Sequence, residues 1–581
     1  MKKYIILFVI LGLASFSCDD KLLNLESLTE PVDATFYANE QELDLALTGV
    51  YSTLVYTGQY GLPMPVVIDN SATDIGISRG FEGGSGFGEL GAGSHSATSA
   101  IYQNTYSYSY KAIARANSLL NNMERAIEVV DPEKYSQIQA QALVIRAYYY
   151  MYLTELFGDV PLILEPNTST EEALIPRSPK SEVVDRILSD LQTAAGILPN
   201  KWSDSGYGRI TKGAALALSA RIALYNERYD IAAQSANLVI QGAGEMGYAL
   251  HPDYEELFSL AGEKSSEIIL SMPFKDGFHT TQFPRSQGSR TKNGYSTNVP
   301  TQSMIDSYEG ADGQPIDESS VYSPQDPFEN RDPRLRASMI LPGDVWAGQI
   351  FESHPDSVTL RNANGSAIGG NNNSRTVAWP AAFCGYMWKK YTIEEYQEMS
   401  QIWSDMDFIM IRYAEVLLIY AEAKIEMGQV DDSVLAALNR IRARAYGVDV
   451  SSTDSYPAVT TNDPAELREV VRRERKVELA NEGFRLFDIR RWRIAEKVMP
   501  VTIYGQILDP SKATGIPQID EDCFVTYDGI ESQYDLNLDS RFPNALNRKF
   551  DKSRDYLCPI PQQEIDTYRG LGGTLAQNPG F

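Results

Sequence analysis

The sequence has few of the histidines and cysteines that bind metal ions, and it has too few basic residues to balance its acidic ones. Among 581 residues there are four histidines and four cysteines, the histidines are far apart, and no C-x-x-C pair occurs. We therefore expect no structural zinc site. Acidic loops at Asp312-Gly313 and at 326–332 lack EF-hand spacing, so no calcium site is predicted either, and no cofactor is expected. Lys and Arg number 51 against 77 Asp and Glu, a net charge of −26, which disfavours binding to nucleic acid or to anionic lipid through basic residues.

A transmembrane segment is also missing at the N-terminus. Residues 4–14 are apolar after a short basic segment, but they fall short of the ~20 residues that span a bilayer. We predict a signal peptide at 1–17. A small residue just before Cys18 resembles a bacterial lipoprotein signal, in which this cysteine would carry lipid; the alternative is an ordinary signal with an incidental cysteine. The other three cysteines are an odd number, and we expect buried small hydrophobic residues with at most one bridge: Cys384, Cys523 and Cys558.

Most of the chain has the apolar spacing and capping residues of helices. The predicted helices lie at residues 39–56, 101–129, 132–157, 178–198, 211–227, 229–240, 411–427 and 432–445, and again from 463. The segments 211–240 and 411–445 resemble tetratricopeptide hairpins, although without a regular period. The sequence therefore predicts a mainly α fold with a helical scaffold.

Two regions interrupt the helical pattern. Residues 57–100 are rich in glycine, which argues against regular elements there. Residues 242–405 are rich in Gly, Pro, Asn and Ser and contain short predicted strands, such as 267–272 and 377–382. We divide the mature chain into an N-terminal helical region (18–241), an irregular excursion (242–405) and a C-terminal helical region (406–581). Irregular segments of this size in a compact protein are usually functional.

Several segments, in order, resemble the SusD/RagB family of surface lipoproteins, which capture nutrients in Bacteroidetes. The most specific segment is residues 412–423, RYAEVLLIYAEA. Any one segment alone would be weak support for the resemblance. The others are 211–221, 304–308 with Asp312-Gly313, 331–335, 437–444, 474–485, 488–492, 558–564 and 577–581. Together they extend over nearly the whole mature chain.

The resemblance implies a binding protein without catalytic chemistry. Such a protein is anchored in the outer membrane by its N-terminal lipid and closes as a lid over a SusC-type TonB-dependent transporter. It holds a glycan at the cell surface, with a peptide as the other possible ligand. Two other classes stay open, a helical-repeat adaptor that binds only protein and, with less support, a glycoside hydrolase. No G-x-S-x-G, H-E-x-x-H or Walker loop is present to favour an enzyme.

Ligand residues are expected in the two irregular regions. A sugar ring needs a flat aromatic platform and polar groups that pair with its hydroxyls. We predict that both regions meet on one face, although each side chain could instead pack within its own loop. The candidates are Asp69, Asp74, Arg79 and Phe81 in the first region and Tyr295, Trp346 and Arg375 in the second.

A charge-dense stretch follows residue 468. Its end, residues 485–492, could be read as a phosphate or glycan cluster. We favour a packed network between helices, because buried arginine needs carboxylate partners and this stretch supplies them. The expected partners of Arg485, Arg490 and Arg491 are the acids at Glu474, Glu478 and Glu482.

Overall fold

The structure is a computed structural model. It describes residues 36–58, 61–78, 88–166, 169, 172–203, 206–374, 376–377, 383–535 and 547–581. Helices dominate this part of the chain, as predicted, and short antiparallel sheets are inserted between them. Over the described ranges, each helix is too short or too polar to cross a membrane.

Twelve helices of seven or more residues are present in the described part of the chain. They are α1 (Glu40–Tyr51), α2 (Met64–Ala72), α3 (Ala100–Asn122), α4 (Pro132–Phe157), α5 (Lys180–Ile197), α6 (Lys212–Tyr225), α7 (Tyr229–Gln241), α8 (Tyr413–Glu426), α9 (Asp432–Ala445), α10 (Pro464–Glu478), α11 (Arg485–Arg491) and α12 (Gln562–Gly570). Shorter helices lie at Gly88–Ala92, Ala243–Met246, Phe283–Ser286, Gln302–Asp306, Arg334–Ser338, Glu394–Glu398 and Ala495–Val498.

The strands are short, and all their pairs are antiparallel. They are β1 (Gly76–Ser78), β2 (Val160–Pro161), β3 (Arg177–Ser178), β4 (Ile268–Met272), β5 (Asn298–Pro300), β6 (Met339–Ile340), β7 (Val345–Trp346), β8 (Gln349–Ile350), β9 (Thr359–Asn362), β10 (Ala367–Gly370), β11 (Met387–Trp388), β12 (Phe408–Arg412), β13 (Gln518–Ile519) and β14 (Val525–Thr526). The pairs are β1–β5, β2–β3, β4–β12, β6–β11 and β13–β14, and β7 to β10 form one four-stranded sheet in the order β10-β9-β8-β7.

The helical scaffold follows from capping and small-residue packing. Asp131 and Asp463 each accept hydrogen bonds from the first turn of a helix that begins with proline, and Asn39 caps α1 in the same way. Consecutive helices pack on one another from α4 to α7, and α7 then packs on α8, which joins the two scaffold regions. The predicted mainly helical fold is confirmed.

One prediction for the first irregular region was wrong. Residues 57–100 include the fully buried helix α2, which follows Pro63 and carries Val66 and Ile68 in the main core. A second buried cluster, separate from the main core, joins Ile77 of β1 to Val299 of β5 and Trp388 of β11. The predicted strand at 267–272 is confirmed as β4, whereas most of the strand predicted at 377–382 lies outside the described residues.

Candidate functional site

The two irregular regions are in direct contact, which is the part of the prediction that the structure tests. Strand β1 of the first pairs with β5 of the second, with Ile77 opposite Val299. A second contact lies at Gly61, where a Cβ atom would approach the side chain of Gln282 to 3.5 Å. The excursion and the first region therefore pack against each other through buried strands, and we call this zone of contact the junction.

Asp69 lies beneath the junction in α2. Its carboxylate accepts hydrogen bonds from the main-chain N–H groups of Gly483, at 2.6 Å, and Arg485, at 3.2 Å. Burial raises the pKa of Asp69 to about 7, although these two bonds oppose the shift. Gly483 is required here, because its φ is +94° and a Cβ atom would lie 2.1 Å from Pro65. Asp69 thus fixes the turn before α11.

Asp74 follows α2 and is also buried. It receives two hydrogen bonds from the guanidinium of Arg485, at 2.8 and 2.9 Å, and an ion pair from Lys476 at 3.0 Å. Burial alone would raise the pKa of this carboxyl, but the two cations lower it well below its ordinary value. Asp74 also lines a cavity of about 220 Å³ at the edge of the junction.

Tyr295 is the half-buried candidate at the junction. The guanidinium of Arg285 lies 4.5 Å from the centroid of its ring and donates to its hydroxyl at 2.9 Å. This stacking holds the ring in a fixed orientation. Arg285 lies beside Gln282, which contacts Gly61 of the first region, so Tyr295 is close to the line where the two regions meet.

Trp346 has a different environment from the one expected of a ligand platform. Only 5% of its surface is exposed, and it packs in a small cluster with Ile340, Phe351 and Met387. An indole this deeply buried stabilises the base of the four-stranded sheet and presents almost no face to a sugar. Asp69 and Asp74 are constrained likewise, because their carboxylate oxygens are taken up by the protein.

Four predicted residues lie outside the described residues: Cys18, Arg79, Phe81 and Arg375. Conversely, sequence reasoning missed Arg285, the stacking partner of Tyr295, and Arg548, which lines the cavity beside Asp74. Their signal is weak, because a lone arginine in an irregular segment resembles any solvated surface residue.

The charge-dense stretch is a buried network, as favoured from the sequence, but its pairing differs. Arg412 binds Glu478 and Glu482, and it reaches Glu267 before β4. The further cations that meet the acids of α10 and the following turn are Arg334, Arg442, Arg444 and Lys390.

The arginines of α11 have other partners than those expected. Arg485 pairs with Asp74, and Arg491 pairs with Glu422 and Asp488. Arg490 donates instead to the main-chain oxygen of Asp555.

Across the part of the chain that the structure describes, no group of three or more His, Cys, Asp or Glu residues is arranged to hold a metal ion. Cys384, Cys523 and Cys558 are buried, which matches the prediction of small buried residues, and no disulfide joins any two of them.

The architecture defines a mainly helical scaffold that carries a loop-built surface over a buried ion-pair network. Residues 267–581 match the model of the SusD family, and residues 90–224 match a family described as "Starch-binding associating with outer membrane". The family match extends over more than half of the sequence, and the chain belongs to the SusD family.

Individual relatives are similar over nearly their full length. SusD-like protein P2 of Formosa agariphila is 25% identical, with both chains covered completely. A SusD-like carbohydrate binding protein from Bacteroides fragilis is 27% identical, with a TM-score of 0.75 and with 92% of this chain and 100% of that chain covered. Surface glycan-binding protein A from Bacteroides fluxus is 22% identical, with a TM-score of 0.64 and with 94% of this chain and 100% of that chain covered. At this identity the likeness shows a shared fold.

Proposed function

We propose that this protein is a non-catalytic lipoprotein that captures a glycan at the cell surface and serves as the lid of a SusC-type TonB-dependent transporter. The observation that carries the glycan ligand is the likeness, over the full length, to the carbohydrate binding protein of Bacteroides fragilis. The family description that mentions the outer membrane supports the location. The ligand surface is the junction, with Tyr295 and Arg285 as its ordered platform. Arg79, Phe81 and Arg375, which lie outside the described residues, are proposed as further contacts with the ligand.

The test of binding is affinity electrophoresis of the mature chain in gels that contain plant, algal or microbial polysaccharides. Retardation in at least one gel, with no new reducing ends after long incubation, is the expected result. Release of shortened oligomers would instead make the protein a glycoside hydrolase. No retardation by any polysaccharide would remove the glycan from the proposal.

The anchor is tested separately. We expect Cys18→Ala to release the protein from the membrane fraction in cells that lack the transporter, whereas Cys384→Ala should leave the fractionation unchanged. Membrane association of the Cys18 variant in such cells would refute the lipid anchor.

The lid role is tested by copurification. A tagged chain should bring down a TonB-dependent transporter from detergent-solubilised outer membranes. Recovery of the chain alone, with lipidation and glycan binding intact, would contradict that role.

A further inference from the structure

The cavity beside Asp74 has an unusual charge. Three buried cations lie around it or directly beneath it: Lys476, Arg485 and Arg548. Within ion-pair distance, and considering the described residues alone, the only carboxylate that these cations meet is Asp74, which is bound by Lys476 and Arg485. These three cations outnumber the two carboxylates that line the cavity, Asp74 and Asp528, in a chain whose net charge is −26.

Of the three, Arg548 is the cation that has no ion-pair partner among the described residues. It is 5% exposed, its Nε donates to the main-chain oxygen of Gly91 at 2.7 Å, and one Nη contacts the sulfur of Met499 at 3.8 Å. Its other nitrogen, Nη1, has no hydrogen-bond partner in the described structure. Burial lowers the pKa of Arg548 to about 10, against a smaller opposing effect of Asp74. A buried, charged donor left in this state is costly, and an anion beside it would remove the cost.

The rest of the lining suits a sugar ring. Tyr504 and Tyr527 supply aromatic surface, and Thr301, Ser303 and Thr526 supply hydroxyl groups. The volume of about 220 Å³ is below the ~300–1,000 Å³ of sites for drug-sized ligands, so it admits one ring with its substituent. Asp528 also lines the cavity, and its side chain is exposed.

We infer that this cavity binds the oxyanion of an acidic sugar, a carboxylate or a sulfate ester, through Arg548. The inference rests on the proposed glycan binding and assigns it a chemical class. The unpartnered Nη1 would donate a charge-assisted hydrogen bond to such a group, whereas a neutral sugar would offer it hydroxyls alone.

The experiment measures binding of glucuronate, glucose 6-sulfate and glucose to the mature chain by isothermal titration calorimetry and saturation-transfer NMR. We expect at least one charged sugar to bind ten times more tightly than glucose, and inorganic sulfate to compete with it. Preference for glucuronate would identify a carboxylate site, and preference for the sulfate ester a sulfate site. Equal binding of glucose, or no binding of either charged sugar, would overturn the inference.

Four variants test whether the anion binds in this cavity. Arg548→Gln should abolish the preference for charge, and Asp528→Asn should strengthen binding of both anions. Because a buried arginine can be needed for folding, Thr526→Trp is a second test: it fills the cavity and should remove binding, while Thr526→Val keeps the volume and should retain it. Unchanged binding in Thr526→Trp, with a normal melting temperature, would place the anion elsewhere.

The polysaccharide gels distinguish the two proposals. If gels with neutral polysaccharides retard the protein and the charged sugars do not bind, the anion site fails and the proposed function stands. If no polysaccharide gel retards the protein but the charged sugars bind at Arg548, the proposed glycan capture fails and the anion site stands.

Discussion

Arg485 binds Asp74 through two nearly equal hydrogen bonds, of 2.8 and 2.9 Å, across 411 positions of sequence. The pair fastens the turn after α2 to the first residue of α11, so it ties the first irregular region to the C-terminal scaffold. Lys476 adds a third contact from α10. The junction is thus built on an ion-pair cluster.

Removing this carboxylate should destabilise the fold strongly. Asp74→Asn leaves two buried cations without an anion, and breaking such a pair typically costs about 3–5 kcal/mol. The free energy of unfolding is measured by urea denaturation. Asp528→Asn, at an exposed position on the same cavity, is the control and should change stability by less than about 0.5 kcal/mol. Similar stabilities for the two variants would contradict the structural role of Asp74.

The raised pKa of Asp69 leads us to expect that stability depends on pH. Its pKa is about 7 in the folded protein against an ordinary value of 3.8, so between these values the native state binds more protons than the unfolded state. The contribution of Asp69 is therefore fully present below pH ~4 and is lost as the pH rises through about 7, by up to about 1.4 kcal/mol per pH unit. Asp69→Asn, which is always neutral, should lack this loss.

The measurement is urea denaturation of both proteins from pH 4.5 to 8.5. The stability of the natural sequence relative to Asp69→Asn should fall as the pH rises. Parallel profiles would show that Asp69 keeps an ordinary pKa. The Asp528→Asn variant provides the matched control, and its profile should run parallel to that of the natural sequence.

Trp346 and Phe278 provide a contrast between a buried and an exposed aromatic residue. Trp346→Ala should cost about 3–5 kcal/mol of stability, because it empties a packed cluster. Phe278 is 86% exposed, so Phe278→Ala should leave the melting temperature almost unchanged. A stable Trp346 variant with weakened glycan binding would restore the ligand role that the sequence suggested.

These outcomes show which parts of the structure local sequence can predict. The caps at Asn39, Asp131 and Asp463 and the apolar spacing act within a few residues, so the helix positions could be read directly. The buried state of Asp69 and Asp74 depends on partners more than 400 positions away, and no local pattern indicates it. A polar residue in a glycine-rich region therefore resembled a solvated loop residue.

The same reason explains the ion-pair network. Buried arginine needs carboxylate partners, and Glu474, Glu478 and Glu482 favoured a packed network for that reason. Nearby arginines were the obvious partners in sequence, but those of α11 meet other groups, Asp74, Glu422, Asp488 and the main chain. The cations come instead from Arg334, Arg412, Arg442 and Arg444, in segments that reach the acids through tertiary packing.

The proposed glycan surface leads to the last prediction. Tyr295 is half-buried, and the stack with Arg285 fixes its ring before a ligand arrives, so little side-chain entropy remains to be lost on binding. Truncating such an anchor typically costs about 2 kcal/mol, roughly thirtyfold in affinity. Tyr295→Ala should therefore weaken binding by about this factor, measured with the polysaccharide that retards the natural sequence in the gels.

Two variants separate the ring from its hydroxyl group. Tyr295→Phe keeps the flat face and loses the bond that the hydroxyl accepts from Arg285, so it should retain most of the affinity. Arg285→Met removes the stacking cation and should have an intermediate effect. Affinity is measured by calorimetry, and melting temperatures control for folding. If Tyr295→Ala melts normally and binds as tightly as the natural sequence, the platform lies on another part of the junction.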